Sequence, residues 1–255
     1  MRVRLAAALI LALCLGFTAL GAVDITFYGH SCFTVMPESG LVIMIDPYGS
    51  YVPYPGLPAA ADVVLITHGH IDHCPYCFGA RDRVTGDPMV VWPFGDNDRV
   101  REGRWKLTDE LSAVFVEASH VTASGGGQGL VCLFSFEVDG IRFAHLGDVG
   151  RTLTTAQVAA LGDVDVLFVP VGGVFTIDAE EAVEVIQQLP SVRAVFPMHY
   201  MVSGITPWTD LAPVSTFLAS IPDGWAVEVP DSDTVVIGTL PDTVTVYVPT
   251  YVGSP

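Results

Sequence analysis

Basic residues are scarce in this sequence. Lysine and arginine together number 11 in 255 residues, against 28 aspartates and glutamates, and the formal net charge is −17. An acidic surface repels phosphate backbones and anionic lipid headgroups, which excludes nucleic acid as a general partner. Phosphate-binding fingerprints are missing too. The glycine-rich run Ser124-Gly125-Gly126-Gly127-Gln128-Gly129 has neither the lysine of a phosphate-binding loop nor a GxGxxG spacing. It reads instead as a flexible loop beside a site. Internal repeats and low-complexity linkers are also lacking.

Apolar residues, by contrast, make up 51% of the chain, enough for a large core. The first 22 residues have the layout of an export signal. Arg2 and Arg4 precede the apolar stretch Leu5 to Phe17, and Ala19-Leu20-Gly21-Ala22 offers small residues for cleavage. Cleavage there removes two arginines and no acid. The mature chain, residues 23–255, is then expected as a single domain, periplasmic or extracellular. The competing reading is an uncleaved anchor, since Leu5 to Val23 is nearly long enough to span a bilayer, and only then is a membrane a partner. Export would place Cys32, Cys74, Cys77 and Cys132 in an oxidising compartment. Cys74-Pro75-Tyr76-Cys77 has the CxxC spacing of thiol–disulfide catalysts. It lacks a thioredoxin-like βαβ order around it, so a local disulfide or two packed thiols is the plainer reading.

Along the mature chain, short apolar runs alternate with turns. Val23 to Tyr28, Phe33 to Val35, Leu41 to Ile45, Val63 to Ile66, Val90 to Trp92, Val114 to Val116, Leu130 to Phe136, Ile141 to Ala144, Val164 to Val169 and Ala194 to Phe196 read as strands. Asp139-Gly140 is a hairpin signal. Thr154 to Leu161 reads as a short helix, and Asp178 with Glu181 resembles a capping box before a second one. Residues 78 to 113 read as a solvated, salt-bridged face. Val227 to Val248 alternates as further strands. Tyr48 to Pro58, rich in Tyr, Pro and Gly, reads as a loop forming one wall of the substrate pocket, with the glycine-rich loop as another.

The chemistry concentrates in Thr67-His68-Gly69-His70-Ile71-Asp72-His73, directly after a buried strand. Imidazoles and carboxylates are ligands for zinc, iron or manganese, and several on one short loop can converge on metal. The apolar runs end in Asp46, His68, His120, Asp148 and His199. Ligands gather at the carboxyl ends of strands in α/β sheets, so these separated residues are expected to meet in one cleft.

With those motifs in order, the chain resembles the metallo-β-lactamase superfamily over roughly residues 23 to 230. Gly29-His30-Ser31, Ile45-Asp46-Pro47 and Val169-Pro170-Val171-Gly172-Gly173-Val174-Phe175-Thr176-Ile177-Asp178-Ala179 resemble a branch of metal-dependent hydrolases related to ascorbate-6-phosphate lactonase. The resemblance implies an α/β fold, a four-layer αββα sandwich of metallo-β-lactamase type. It implies that His68, His70 and His120 hold one metal, that Asp72, His73 and His199 hold a second, and that Asp148 bridges them. Asp46 and His30 would then orient ligands. The expected cofactors are two divalent ions, zinc with manganese or iron as alternatives. The expected activity is hydrolysis of a small-molecule ester, lactone or phosphodiester by a hydroxide shared between two metals, with Asp72 as the catalytic residue. The carboxylate at 148 argues against antibiotic hydrolysis, because several true β-lactamases carry cysteine there. An iron-dependent redox protein of the same fold and a non-catalytic metal-binding envelope protein are the alternative readings.

Overall fold

The computed structural model describes residues 21–254; the export-signal reading falls almost wholly on residues 1–20, outside them. The described chain begins with β1 (Val23–Gly29), β2 (Cys32–Met36), β3 (Ile43–Ile45), β4 (Ala59–Ala60), β5 (Val63–Leu65), β6 (Val84–Thr85) and β7 (Met89–Val91). There follow β8 (Gly103–Lys106), β9 (Ser112–Ser119), β10 (Leu130–Val138), β11 (Ile141–His145), α1 (Thr155–Leu161) and β12 (Val166–Pro170). It ends with α2 (Ala179–Gln188), β13 (Ala194–Met198), α3 (Val214–Leu218), β14 (Ala226–Glu228), β15 (Thr234–Ile237) and β16 (Thr245–Tyr247).

Two sheets pack face to face. One runs β15-β1-β2-β3-β5-β7 and the other β14-β16-β13-β12-β11-β10-β9-β8. Period-two alternation decides which side chains meet between them. Ile43, Ile45, Val63 and Leu65 point into the main core with Phe33, whereas Met44, Val64 and Ile66 point to the opposite side. Phe33 stacks on Phe27 at 4.7 Å and reaches Phe168 of the other sheet at 4.5 Å. Burying such rings contributes roughly 1.5–3 kcal/mol each.

The helices cover the eight-stranded sheet, α1 against β9 and α2 against β12. Both start on side-chain caps. Thr154 and Gln157 form one reciprocal capping box, and Asp178 and Glu181 the other. Over the six-stranded sheet the outer layer is mostly irregular. It is built from residues 47 to 61 and two short 3₁₀ turns at Pro75–Phe78 and Arg81–Arg83. The architecture is the αββα sandwich, with that outer layer reduced to loops and turns.

That arrangement corrects the expectation for residues 48 to 58. Tyr48, Val52 and Tyr54 are buried in a second small core with Cys32 and Met44. Their polar ends are satisfied there: the Tyr48 hydroxyl donates to the Tyr28 carbonyl at 2.8 Å, and the Tyr54 hydroxyl pairs with Thr206 Oγ1 at 3.3 Å. These residues are structural packing and none of 48 to 58 lines the cavity of the candidate site, although exposed Tyr51 reaches Trp208 at its edge. The hairpin signal holds: β10 and β11 pair across Asp139-Gly140, both with positive φ, as a tight two-residue turn requires.

Candidate metal centre

The strand directions bring the polar residues together. In the first sheet β3 and β5 run parallel; in the second β11, β12 and β13 run parallel, and β9 shares their direction through two antiparallel steps. The ends of β3, β5, β9, β11 and β13 therefore lie along one rim. Asp46, His68, His120, Asp148 and His199 follow those ends, and the loop after β5 adds His70, Asp72 and His73.

Among the described residues, three groups are placed so that they could hold a metal ion; one, Asp46 with His68 and His73, takes its histidines from the other two. Of those two, His68, His70, His120 and Asp148 form one, and His30, Asp72, His73 and His199 the other. Asp148 lies between them. Its Oδ2 is 3.5 Å from His120 Nε2, 3.7 Å from His68 Nε2 and 3.2 Å from His199 Nε2, and its Oδ1 is 3.2 Å from His73 Nε2. Asp72 Oδ2 is 3.6 Å from His73 Nε2 and 3.8 Å from His199 Nε2.

A layer of hydrogen bonds behind these groups sets which ring nitrogen faces inward. Asp46 accepts from the Thr67 backbone N–H at 2.8 Å, from the Thr67 hydroxyl at 2.6 Å and from His73 Nδ1 at 2.8 Å. The Thr67 oxygen, its own proton committed to Asp46, accepts from His68 Nδ1 at 3.0 Å. One carboxylate thus fixes two imidazoles with Nε2 pointing inward. His30 donates from Nε2 to Asp72 Oδ2 at 3.0 Å. His145 differs: Nε2–H donates to the Ser31 carbonyl and Nδ1 accepts from the Gly147 N–H, each at 3.1 Å. Both nitrogens are engaged, so His145 is a packing residue of this rim.

The donor set fits a cation. His68 Nε2 is buried without a hydrogen-bond partner, and His73 Nε2 and Asp148 Oδ1, although 3.2 Å apart, make no hydrogen bond either. A buried polar atom left unsatisfied costs about 1–3 kcal/mol, so three converging orphans call for a shared partner. Charge points the same way, since Asp46, Asp72 and Asp148 bury three carboxyl groups within the rim. Burial alone would raise the Asp72 and Asp148 carboxyls, but facing imidazoles, His73 for the first and His199 with His73 for the second, hold both well below the usual range. Burial pushes His199 down, yet Asp148 lifts it to about 9; in His73 the three carboxylates likewise outweigh burial and raise it. Burial and His199 take His30 down to about 4, and burial with His73 lowers His68.

The rim opens on a cavity of about 410 Å³ lined by His70, Asp72, His120, Asp148 and His199. The glycine-rich loop forms one wall, as its position beside the motif suggested. Phe175 and Trp208 complete the lining. Trp208 had no distinguishing pattern in the sequence; its only signal is a large aromatic shortly after His199. Cys74 and Cys77 form a disulfide immediately after His73. Cys74, the first cysteine of the pair, is buried, and Cys77 is exposed.

Backbone strain collects at the same rim. His30, Asp46 and His199 all have positive φ, at 55°, 44° and 54°, and so does Val174 at 61°. For non-glycine residues this costs of order 1–3 kcal/mol each and persists where the surroundings over-determine it.

Comparison with known proteins agrees with this geometry. Residues 24–199 match the family model described as a beta-lactamase superfamily domain. A UPF0173 metal-dependent hydrolase of Carboxydothermus hydrogenoformans is 30% identical over 192 residues, spanning 69% of this chain and 84% of that protein. A namesake from Methanosphaera stadtmanae is 29% identical over 202 residues, 69% and 83% of the two chains. Among solved structures, a candidate Zn-dependent hydrolase of the metallo-beta-lactamase superfamily from Thermotoga maritima is 32% identical, with a TM-score of 0.68 over 89% of this chain and 98% of that one. The diiron β-hydroxylase CmlA of Streptomyces venezuelae, 16% identical with a TM-score of 0.53 over 78% of this chain and 47% of that one, shares the fold alone. The chain belongs to the beta-lactamase superfamily domain family, on the metallo-β-lactamase fold.

Proposed function

We propose that this chain is a metal-dependent hydrolase that holds two divalent cations and cleaves a small-molecule ester, lactone or phosphodiester. The observation that carries the proposal is the convergence of unpartnered buried donors at Asp148. The name metal-dependent hydrolase borne by the relatives supports it. His68, His70 and His120 would hold one cation, Asp72, His73 and His199 the other, and Asp148 both. Imidazole and carboxylate suit zinc, and manganese or iron as well. Bound there, the cations would lower the pKa of a water toward neutrality and polarise the scissile bond.

The chain's own groups do the rest. Asp72 lines the cavity and stays a carboxylate beside its imidazole neighbours. It takes a proton from the attacking water and returns it to the leaving atom. Neutral His30 holds Asp72 Oδ2 in place for that exchange. Phe175, Trp208 and the glycine-rich loop wall the cavity and limit bulk water around the reacting bond. The proposal includes residues 23–255 as one catalytic domain, a free small molecule as substrate, and export directed by residues 1–22. The Cys74–Cys77 disulfide supports an oxidising compartment.

The test is elemental analysis of residues 23–255 purified without added metal or chelator, beside Asp148→Ala. About two equivalents of zinc or manganese are expected in the first. The variant is expected to retain one or fewer and to lose most hydrolysis. Two equivalents of iron would favour the redox reading of the same residues. Near zero, with no recovery on adding metal, would remove the basis of the proposal.

A further inference from the structure

We infer that the cavity selects an uncharged ester or lactone whose non-reacting part is aromatic or planar and apolar, seated against Trp208. The inference rests on the hydrolase reading and narrows its substrate.

Every imidazole and carboxylate lining the cavity is already committed. His70, Asp72, His120, Asp148 and His199 belong to the two metal clusters. What remains of the wall is Gly125, Gly126, Gly127, Gln128, Phe175 and Trp208. Among the described residues, no lysine or arginine lines the cavity. A phosphate or carboxylate on the distal part of a substrate would therefore meet no cationic side chain, and whatever part of it leaves water would go uncompensated. The net charge of −17 disfavours anions at long range, an effect that the two bound cations would offset locally. A phosphodiester could meet the metals at its reacting group but gains nothing from the rest of the wall.

Trp208 is pre-positioned for an apolar guest. Its ring lies near-parallel to His30, at 5.2 Å and 24°, and to His199, at 6.5 Å and 23°. Tyr51 meets it edge-on at 5.8 Å. The supporting turn is pinned where Thr206 Oγ1 accepts from the Val202 N–H at 2.8 Å and Ala212 N–H donates to the Gly172 carbonyl at 2.8 Å. The ring is half-buried and its cavity side stays open. A fixed aromatic face loses little entropy on binding, and stacking on it is worth about 0.5–1.5 kcal/mol beyond area burial.

The experiment uses the full zinc-loaded chain and pairs of probes with the same reacting group. Phenyl acetate and 4-acetoxyphenyl phosphate differ only in a dianion; 2,2,2-trifluoroethyl acetate removes the ring. The amide counterparts acetanilide and 4-acetamidophenyl phosphate report binding by calorimetry without turnover. We expect phenyl acetate to exceed 4-acetoxyphenyl phosphate at least tenfold in kcat/KM, and acetanilide to bind more tightly than its phosphate. In Trp208→Ala the loss on phenyl acetate should exceed the loss on trifluoroethyl acetate at least fivefold, and Trp208→Phe should restore most of the difference. Equal losses on both esters, or preference for either phosphate probe, would overturn the inference while leaving the hydrolase reading intact. Acetanilide binding that depends on Trp208, with no turnover of any ester, would instead overturn the hydrolase reading and keep the cavity's preference.

Discussion

Asp46 Oδ2 lies 2.8 Å from His73 Nδ1, and the same carboxylate holds Thr67, which in turn holds His68. One acid therefore orients an imidazole in each of the two candidate clusters. Orienting partners of this kind typically contribute 10–100-fold to metal affinity or activity. Asp46→Ala is expected to weaken zinc binding at both positions by that order, read by competition with a chromophoric chelator. Thr67→Val removes only the His68 side of the relay and should weaken one equivalent. If both equivalents in Asp46→Ala hold zinc as the unmodified chain does, the relay has no role in ligation.

The relay also marks how much could be read from the chain. Continuous apolar strands such as Val63–Leu65 and Val166–Pro170 were legible because both faces are buried, and the capped helices because Thr154 and Asp178 advertise their starts. The clustering of His68, His70, Asp72 and His73 was legible as a motif; which nitrogen each histidine turns inward was not, because that depends on Asp46, over 20 residues away. Edge strand β8, Gly-Arg-Trp-Lys, was hidden by its exposed polar residues. Helix α3 has five residues and no side-chain cap. The strands within 227 to 248 were readable, but not that β15 leaves its neighbours to pair with β1, Thr234 opposite Thr26. Pairing over that sequence distance leaves no local signal. The aromatic run 48 to 58 misled for a related reason: composition cannot say whether a tyrosine faces a cavity or a core.

His145 gives a pH dependence. Burial lowers its pKa to about 4 from an ordinary value of 6.5. The folded state therefore holds it neutral where the unfolded state protonates it. Its contribution is fully present above pH 6.5 and is lost as pH falls toward 4, at about 1.4 kcal/mol per unit, or about 3 kcal/mol in all. Urea midpoints of the metal-free chain at pH 7 and 4.5 should show this loss. His145→Gln, which cannot titrate, should start less stable and show a shallower decline. Parallel declines in the two proteins would mean that other groups carry the acid sensitivity.

The Cys74–Cys77 disulfide closes the turn that presents His73. Cys74 N–H donates to the His70 carbonyl at 2.8 Å, so the cross-link braces the turn that carries His70, Asp72 and His73. Closing so short a loop is worth on the order of 2 kcal/mol through the unfolded chain. Replacing both cysteines by serine should lower stability by about that amount and speed zinc loss to a chelator severalfold. Unchanged zinc release beside lowered stability would confine the disulfide to a general role in the fold.

The glycine-rich wall offers the sharpest contrast between two similar changes. A Cβ on Gly127 would lie 2.0 Å from the His120 carbonyl and 2.4 Å from His120 Nδ1, whereas a Cβ on Gly125 meets nothing within 4 Å. Both residues have positive φ, 71° and 86°, so both alanine variants carry a conformational penalty of roughly 1–2 kcal/mol. Only Gly127→Ala must also displace His120. It is expected to lose zinc from the His68, His70 and His120 set and most of its activity, while Gly125→Ala loses stability with metal content intact. The two variants, compared by zinc content and thermal midpoint, separate backbone strain from displacement of the ligand. Equal zinc content in both would show that the loop moves aside without disturbing His120, and that the close approach of Gly127 is not needed to build the site.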